Sequence, residues 1–265
     1  MKSEFSFIFI TQDDPFYIRC FFDEFLKVYS NPEEIEAVVI QKVLGKKSTW
    51  ALLKQMYTFY GLMHFFKMGF RYLRIKSFNQ FSHIYPKPEW LNLGQLCKKY
   101  GIEVIYQNGI HQAEFLDNLR QKNLDLIISV AASSIFKQEL IDLPRLGCIN
   151  IHHAPLPKYR GMLPNFWQLY HGEKTVGITI HKINQKIDEG EIIFQKQIPV
   201  QAGESLDTLM KRTKRLGAHC MIETIEMLKT GKVRYRPNRP AEGSYFSFPT
   251  REEVKKFRSM GHKLL

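Results

Sequence analysis

The richest run of reactive side chains lies between Gly147 and Gly161, GCINIHHAPLPKYRG, where Asn150 and His152 stand two residues apart. Alternate side chains of an extended strand share a face, so this spacing sends the carboxamide and the imidazole to one side and His153 to the other. Pro155, Pro157 and, beyond Gly161, Pro164 restrict the path leaving that strand and aim the pair at one pocket. Downstream, Ile187-Asp188-Glu189-Gly190 sets an acid on a tight turn between two strands. An amide, an imidazole and a carboxylate together suit acyl transfer without a covalent enzyme intermediate. Asn150 and a protonated His152 can donate hydrogen bonds to a carbonyl oxygen as charge develops on it, such a donor being worth about 3 to 4 kcal/mol in the transition state. Asp188 can favour the imidazolium and relay a proton from an attacking amine to a leaving nitrogen. No metal is needed. Taken singly, a strand Asn, a His and an Asp-Glu-Gly turn are ordinary structural features, so the weight rests on the ordered set.

The elements that must position these groups read as an α/β fold. Short apolar runs bounded by turn residues lie at Phe5 to Ile10, Ala37 to Gln41, Ile102 to Gln107, Leu124 to Val130, Cys148 to Ile151, Thr175 to Ile183 and Glu191 to Val200. Several are almost continuously apolar, as strands buried on both faces are, and helical stretches at Phe16 to Val28, Leu91 to Tyr100, Gln112 to Lys122 and Ile135 to Ile141 supply crossovers. The expected architecture is a doubly wound, mostly parallel Rossmann-like sheet, closed by a hairpin after Thr175 and a helix from about Ser205 to Lys229. One catalytic domain is expected over residues 1–230, with a helical insertion at about 45–76, and a basic C-terminal appendage over 231–265 packed against it.

Charge is unevenly spread in this 265-residue chain, whose formal net charge is +12. Between Glu36 and Glu89 there is no acid, while Lys42, Lys46, Lys47, Lys54, Lys67, Arg71, Arg74, Lys76 and Lys87 are all basic. From Lys232 onward nine cations face three acids, so two segments carry the basic surface and the body is near neutral. Within Thr49 to Lys76, Lys54, Thr58, Gly61, His64, Lys67, Arg71 and Arg74 recur at helical intervals, with Gly61 and Gly69 as candidate breaks. Lys54 and Lys67 interrupt its apolar run, which argues against a membrane span. A helix covering the core or a subunit contact, as in a homodimer, is the favoured reading; an anionic membrane surface is the alternative. Arg234, Arg236 and Arg239 beside Tyr235, Tyr245, Phe246 and Phe248 similarly suit either packing on the core or stacking on RNA bases.

Composition and motifs exclude other classes. An apolar fraction of 44% with 24% charged residues is that of a folded protein rather than a disordered one. The first strand runs into Thr11-Gln12-Asp13-Asp14-Pro15, with no glycine to let backbone amides close on a phosphate, and neither a dinucleotide fingerprint nor a P-loop occurs. Cys20, Cys97, Cys148 and Cys220 form no CxxC pair, so no metal site or disulfide framework is expected; they read as buried thiols in a reducing compartment. The start of the chain lacks the long apolar region of a signal peptide, which makes cytoplasmic the expected location.

The text DLIISVAASSIF, GCINIHHAPLPKYRG and VGITIHKINQKIDEGEIIFQ, in this order and spacing, resembles the formyltransferases that use 10-formyltetrahydrofolate, over about Leu91 to Lys229. That family includes enzymes acting on glycinamide ribonucleotide, methionyl-tRNA and sugar amines. The resemblance implies Asn150, His152 and Asp188 as the catalytic triad. It also implies a folate pocket built from Ser134, Ile135 and Phe136 with Asn184, Gln185, Lys186 and Ile187. Ala154 and Pro155 replace the serine and leucine common after the family histidine. The glycine-rich phosphate loop of the purine-pathway enzyme is absent after the first strand, and the 34 residues after Gly231 are too few for the barrel of the tRNA enzyme. The expected acceptor is therefore a small anionic amine, a sugar amine either free or nucleotide-linked. The alternatives are a methionyl-tRNA formyltransferase-like role, or an RNA- or membrane-binding protein that keeps the folate fold.

Overall fold

The computed structural model describes residues 5–42, 48–81 and 91–265. Seven strands form the central sheet: β1 (Phe7–Gln12), β2 (Ile35–Gln41), β3 (Glu103–Tyr106), β4 (Leu126–Val130), β5 (Cys148–His152), β7 (Thr175–Lys182) and β8 (Ile192–Pro199). The small ribbon β6 (Arg160–Gly161) and β9 (Tyr245–Phe246) stands apart from it. The helices are α1 (Ile18–Val28), α2 (Thr49–Phe81), α3 (Leu93–Lys99), α4 (Ala113–Lys122), α5 (Gln138–Ile141), α6 (Pro164–Tyr170), α7 (Leu206–Lys229) and α8 (Arg251–Ser259).

Sheet order is β3-β2-β1-β4-β5-β7-β8. The first five strands are parallel, and β7 and β8 join as an antiparallel hairpin. This is the doubly wound arrangement the apolar runs imply, with the order reversing between β1 and β4, where such sheets open a crevice beyond their carboxyl ends. Two cores sandwich the sheet. One packs α1, α3 and α7 around Phe7, Phe9 and Ile128; the other packs α4 and α5 around Ile8, Ile10 and Ile127. Phe9 meets the rings of Phe22 and Phe25 edge-on at 5.1 and 5.0 Å, contacts worth about 0.5 to 1.5 kcal/mol each beyond their burial.

Several expectations are corrected. The helix expected from Ile135 begins only at Gln138, because Gln41 grips the preceding loop: its Nε2 donates to Ser134 Oγ (2.9 Å) and its Oε1 accepts from Ser133 N (3.0 Å). In α2 the chain breaks at Gly61, whose φ of 67° suits a residue without Cβ, while Gly69 stays helical. The helix continues past Lys76 to Phe81; the expected start of the insertion near residue 45, together with Lys46, Lys47 and Lys87, lies outside the described residues. Cys20 is half-buried, whereas Cys97, Cys148 and Cys220 are buried.

The C-terminal appendage contains β9 and α8. Thr250 and Glu253 form a reciprocal cap at the start of α8, and Phe257 buries completely, its ring stacked on Phe166 at 4.6 Å. Phe246 stacks on Trp167 at 4.6 Å and Phe248 meets Phe59 at 5.4 Å, while Tyr235 and Tyr245 remain exposed.

Candidate active site

Strand β5 carries Asn150 and His152 on one face, and its antiparallel partner β7 sets His181 directly opposite Asn150 and Thr179 opposite His152. The β7–β8 hairpin then brings Asp188 back over the same spot. Gly190 permits this closure: a Cβ there would sit 1.8 Å from the Lys182 carbonyl. Asp188 adopts a left-handed φ of 55°, a conformation costing a non-glycine residue about 1 to 3 kcal/mol. Asn238, from the C-terminal segment, offsets this by donating from Nδ2 to the carbonyls of Asp188 (2.9 Å) and Gly190 (3.0 Å).

The three expected groups therefore meet. His152 Nδ1 lies 3.5 Å from Asp188 Oδ2, and His181 Nε2 lies 3.6 Å from Asp188 Oδ1 and 3.2 Å from Asn150 Nδ2. Burial alone would raise the Asp188 pKa, but the His152 and His181 imidazoles and the Gly161 N–H (3.0 Å) outweigh it and hold the carboxyl well below the usual carboxylate range. His152 is shifted the other way. Burial disfavours its imidazolium and outweighs the attraction of Asp188, so the ring titrates below the ordinary histidine value. Its Nε2 sits 2.8 Å from the Tyr159 carbonyl, which as a pure acceptor fixes the proton on that nitrogen. Asp188 thus favours the imidazolium that burial disfavours, and Nδ1 faces the carboxylate, so the two are placed to share one proton. A proton delivered between them satisfies both.

His181 was not foreseen. Its Nδ1 lies 2.7 Å from the Lys182 carbonyl and so carries the proton, leaving Nε2 to accept from Asn150. One amide hydrogen of Asn150 is thereby spoken for and the second is left for a ligand. The readable signal was a histidine, buried to 2% exposure, inside the otherwise apolar run of β7.

The C-terminal segment is part of the site's frame. Tyr159 N donates to Ser244 Oγ (2.9 Å), Arg160 N to the Ser244 carbonyl (2.9 Å) and Met162 N to the Phe246 carbonyl (2.9 Å), so β9 braces the stretch that supplies Tyr159 O and Gly161 N. Gly161, at φ 92°, admits this brace, since a Cβ would meet the Phe246 carbonyl at 2.3 Å.

Two hollows flank the site's end of the sheet. One, of about 400 Å³, is lined by Ile135, Phe136, Lys137, Gln138, Glu139 and Gln185, and Gln185 Nε2 reaches Gln138 Oε1 at 3.0 Å. It joins the two loops expected to form a folate pocket. Ser134 is held by Gln41, Phe136 is anchored in the core, and Asn184 closes its own turn by accepting from Lys186 N (3.0 Å); Ile135 and Ile187 are exposed. The other hollow, of about 800 Å³, lies between α2 and the ends of β1 and β2; its lining includes Asp13, Asp14, Arg19, Lys42 and Lys76 together with apolar Met56, Phe65 and Tyr72. Among the described residues no group of three or more His, Cys, Asp or Glu is placed to hold a metal ion.

The chain is 35% identical to the methionyl-tRNA formyltransferase of Kosmotoga olearia over 160 residues, 60% of this chain and 51% of that one. It is likewise 35% identical to the Thermotoga maritima enzyme of that name over 159 residues, with the same coverage of each. It thus spans about half the length of these curated relatives. Among solved structures it superposes on phosphoribosylglycinamide formyltransferase from Anaplasma phagocytophilum with a TM-score of 0.61 and 16% identity, covering 92% of this chain and all of the other. A sugar N-formyltransferase from a Shewanella species gives 0.57 and 16%, covering 97% of this chain and 89% of the other. These likenesses establish the fold. With the formyl transferase family model matching residues 88–225, which contain Asn150, His152, His181 and Asp188, the chain belongs to the formyl transferase family.

Proposed function

We propose that this protein is an N-formyltransferase that moves a formyl group from 10-formyltetrahydrofolate to the amine of a small anionic acceptor of the sugar-amine class, free or nucleotide-linked. The observation that carries the reading is the convergence of Asn150, His152 and Asp188 around one point, with His181 holding the amide.

The folate pocket is assigned to the smaller hollow and the loops beside it. Exposed Ile135 and Ile187 offer apolar faces, and the Gln138 and Gln185 amides offer the polar edge that a flat heteroaromatic ring requires, so the residues present fit the group. When bound, the folate supplies an activated formyl carbon and a nitrogen that leaves with a proton. The second Asn150 amide hydrogen stabilises the formyl oxygen as charge builds on it. The ionised Asp188 and the bare Nδ1 of His152 form an acceptor pair for the protons of the incoming amine, and the imidazolium made by that uptake returns a proton on the leaving side. Tyr159 O holds the ring in place throughout.

Support for an anionic acceptor comes from the larger hollow, whose lining includes Arg19, Lys42 and Lys76, cations that suit phosphate. The test is transfer of labelled formyl from 10-formyltetrahydrofolate to a panel of nucleotide-linked amino sugars, with methionyl-tRNA as the competing acceptor. Labelled formamido sugar supports the assignment. Label on methionyl-tRNA alone moves the acceptor to the class of the curated relatives.

A further inference from the structure

Helix α2 presents an unpartnered outer face unlike any other surface of the molecule. Of the eighteen large hydrophobic side chains exposed among the described residues, ten lie on it, including Trp50 at 78%, Met63 at 78%, Phe66 at 65% and Phe70 at 70%. The break at Gly61 divides them into two stripes. Trp50, Leu53 and Tyr57 follow one another at intervals of three and four, as do Leu62, Phe66, Phe70 and Leu73. Leu52, Met56, Tyr60, Phe65, Met68 and Ile75 turn inward to line the larger hollow; Leu53 and Tyr72 are both exposed and part of that lining, and the other exposed side chains of the stripes take no part in it. The pair is tied down at a few places: Phe59 against Phe166 at 5.8 Å, Arg71 to Asp207 at 2.9 Å, and Arg258 to the carbonyl of Tyr60 (2.5 Å).

We propose that α2 is a docking element that seats the protein on an anionic lipid bilayer. Charge selects the occupant. Lys54, Lys67 and Arg74 are exposed beside the stripes, and no acid occurs anywhere between Glu36 and Glu89. A second copy of the chain meeting this face about a two-fold axis would oppose cation to cation, whereas a leaflet rich in acidic headgroups neutralises them. Trp50 and Tyr57 add the amphipathic rings that settle at the boundary between headgroup and hydrocarbon. The helix lies on the membrane rather than through it, since no helix of the described residues is long and apolar enough to cross one. Docking in this way is independent of which acceptor the active site takes.

The test is sedimentation of the full chain with vesicles of phosphatidylcholine alone and with one third phosphatidylglycerol, together with fluorescence of Trp50. Binding to the anionic vesicles alone is expected, weakened by salt, with a blue shift that Trp50→Phe removes. Lys67→Glu with Arg74→Glu should lower the affinity about fivefold for each cation removed, and Phe66→Ser with Phe70→Ser should abolish binding while the thermal melt is unchanged. Equal affinity for neutral and anionic vesicles, no binding to either, or binding untouched by both pairs of substitutions would overturn the proposal. So would a dimer that these substitutions dissociate in a protein that ignores vesicles, or an RNA complex lost in their place.

Discussion

His152 Nδ1 faces Asp188 Oδ2 at 3.5 Å while the opposite ring nitrogen is committed to the Tyr159 carbonyl at 2.8 Å. This pairing leaves the ring one orientation and sets its other nitrogen beside a carboxylate that also borders His181. Asp188→Asn keeps the shape and removes the charge. The expected result is a fall in kcat of about 10²- to 10⁴-fold with a near-unchanged thermal melt, measured by steady-state formyl transfer.

His181 acts on the reaction through Asn150, by accepting one of its amide hydrogens at 3.2 Å. His181→Phe frees that amide to rotate, and a misaligned donor costs about 10²-fold in kcat. The Michaelis constant for the folate should change little, because the partners of His181 are Asn150, Asp188 and the Lys182 carbonyl rather than the loop residues assigned to the folate. An equal loss in folate affinity would show that His181 shapes the pocket instead.

The C-terminal segment should matter to catalysis as well as stability. Gly161→Ala drives a methyl group toward the Phe246 carbonyl, 2.3 Å away, at a φ of 92° that disfavours side chains. It should displace the N–H that Asp188 accepts and reduce kcat. Phe257→Ala, a truncation in the packed interface of α8, should cost about 3 to 5 kcal/mol in urea unfolding with kcat per folded molecule retained.

How much of this was readable beforehand follows from the range of each interaction. Asn150 and His152 share a face because strand alternation is local, and Asp188 sits on a turn that its own neighbours announce. His181 is visible as a polar interruption of its strand, but its place beside Asn150 comes only from the pairing of β5 with β7, a register that no short window contains. The cap at Thr250 and Glu253 that starts α8 is a local pattern, masked by the surrounding prolines and glycine. Pro164 does not constrain a loop but opens α6, the position where a missing N–H is harmless. The bracing of Tyr159 and Gly161 by Ser244 and Phe246 joins residues some eighty positions apart and leaves no local trace.

Acid should destabilise the protein through its buried histidines. His153 packs under α7 beside Lys214, 3.4 Å away, and burial first, then the charges of Lys214 and His152, push its pKa well down. The unfolded chain takes up a proton near the ordinary value of about 6.5 while the folded one resists, so stability falls as pH drops below that value. His152 contributes in the same direction. Asp188, depressed in the fold, contributes stability that is lost only below the carboxylate range. His153→Gln should therefore flatten the decline in urea midpoint between about pH 6.5 and pH 5.

The most direct test of the active-site account is single-turnover transfer of labelled formyl to the acceptor found in the amino-sugar screen, comparing wild type with Asn150→Ala and Asp188→Asn. The account predicts that each substitution abolishes product formation on the wild-type timescale while 5-formyltetrahydrofolate still binds. Near wild-type product formation by either variant would contradict it.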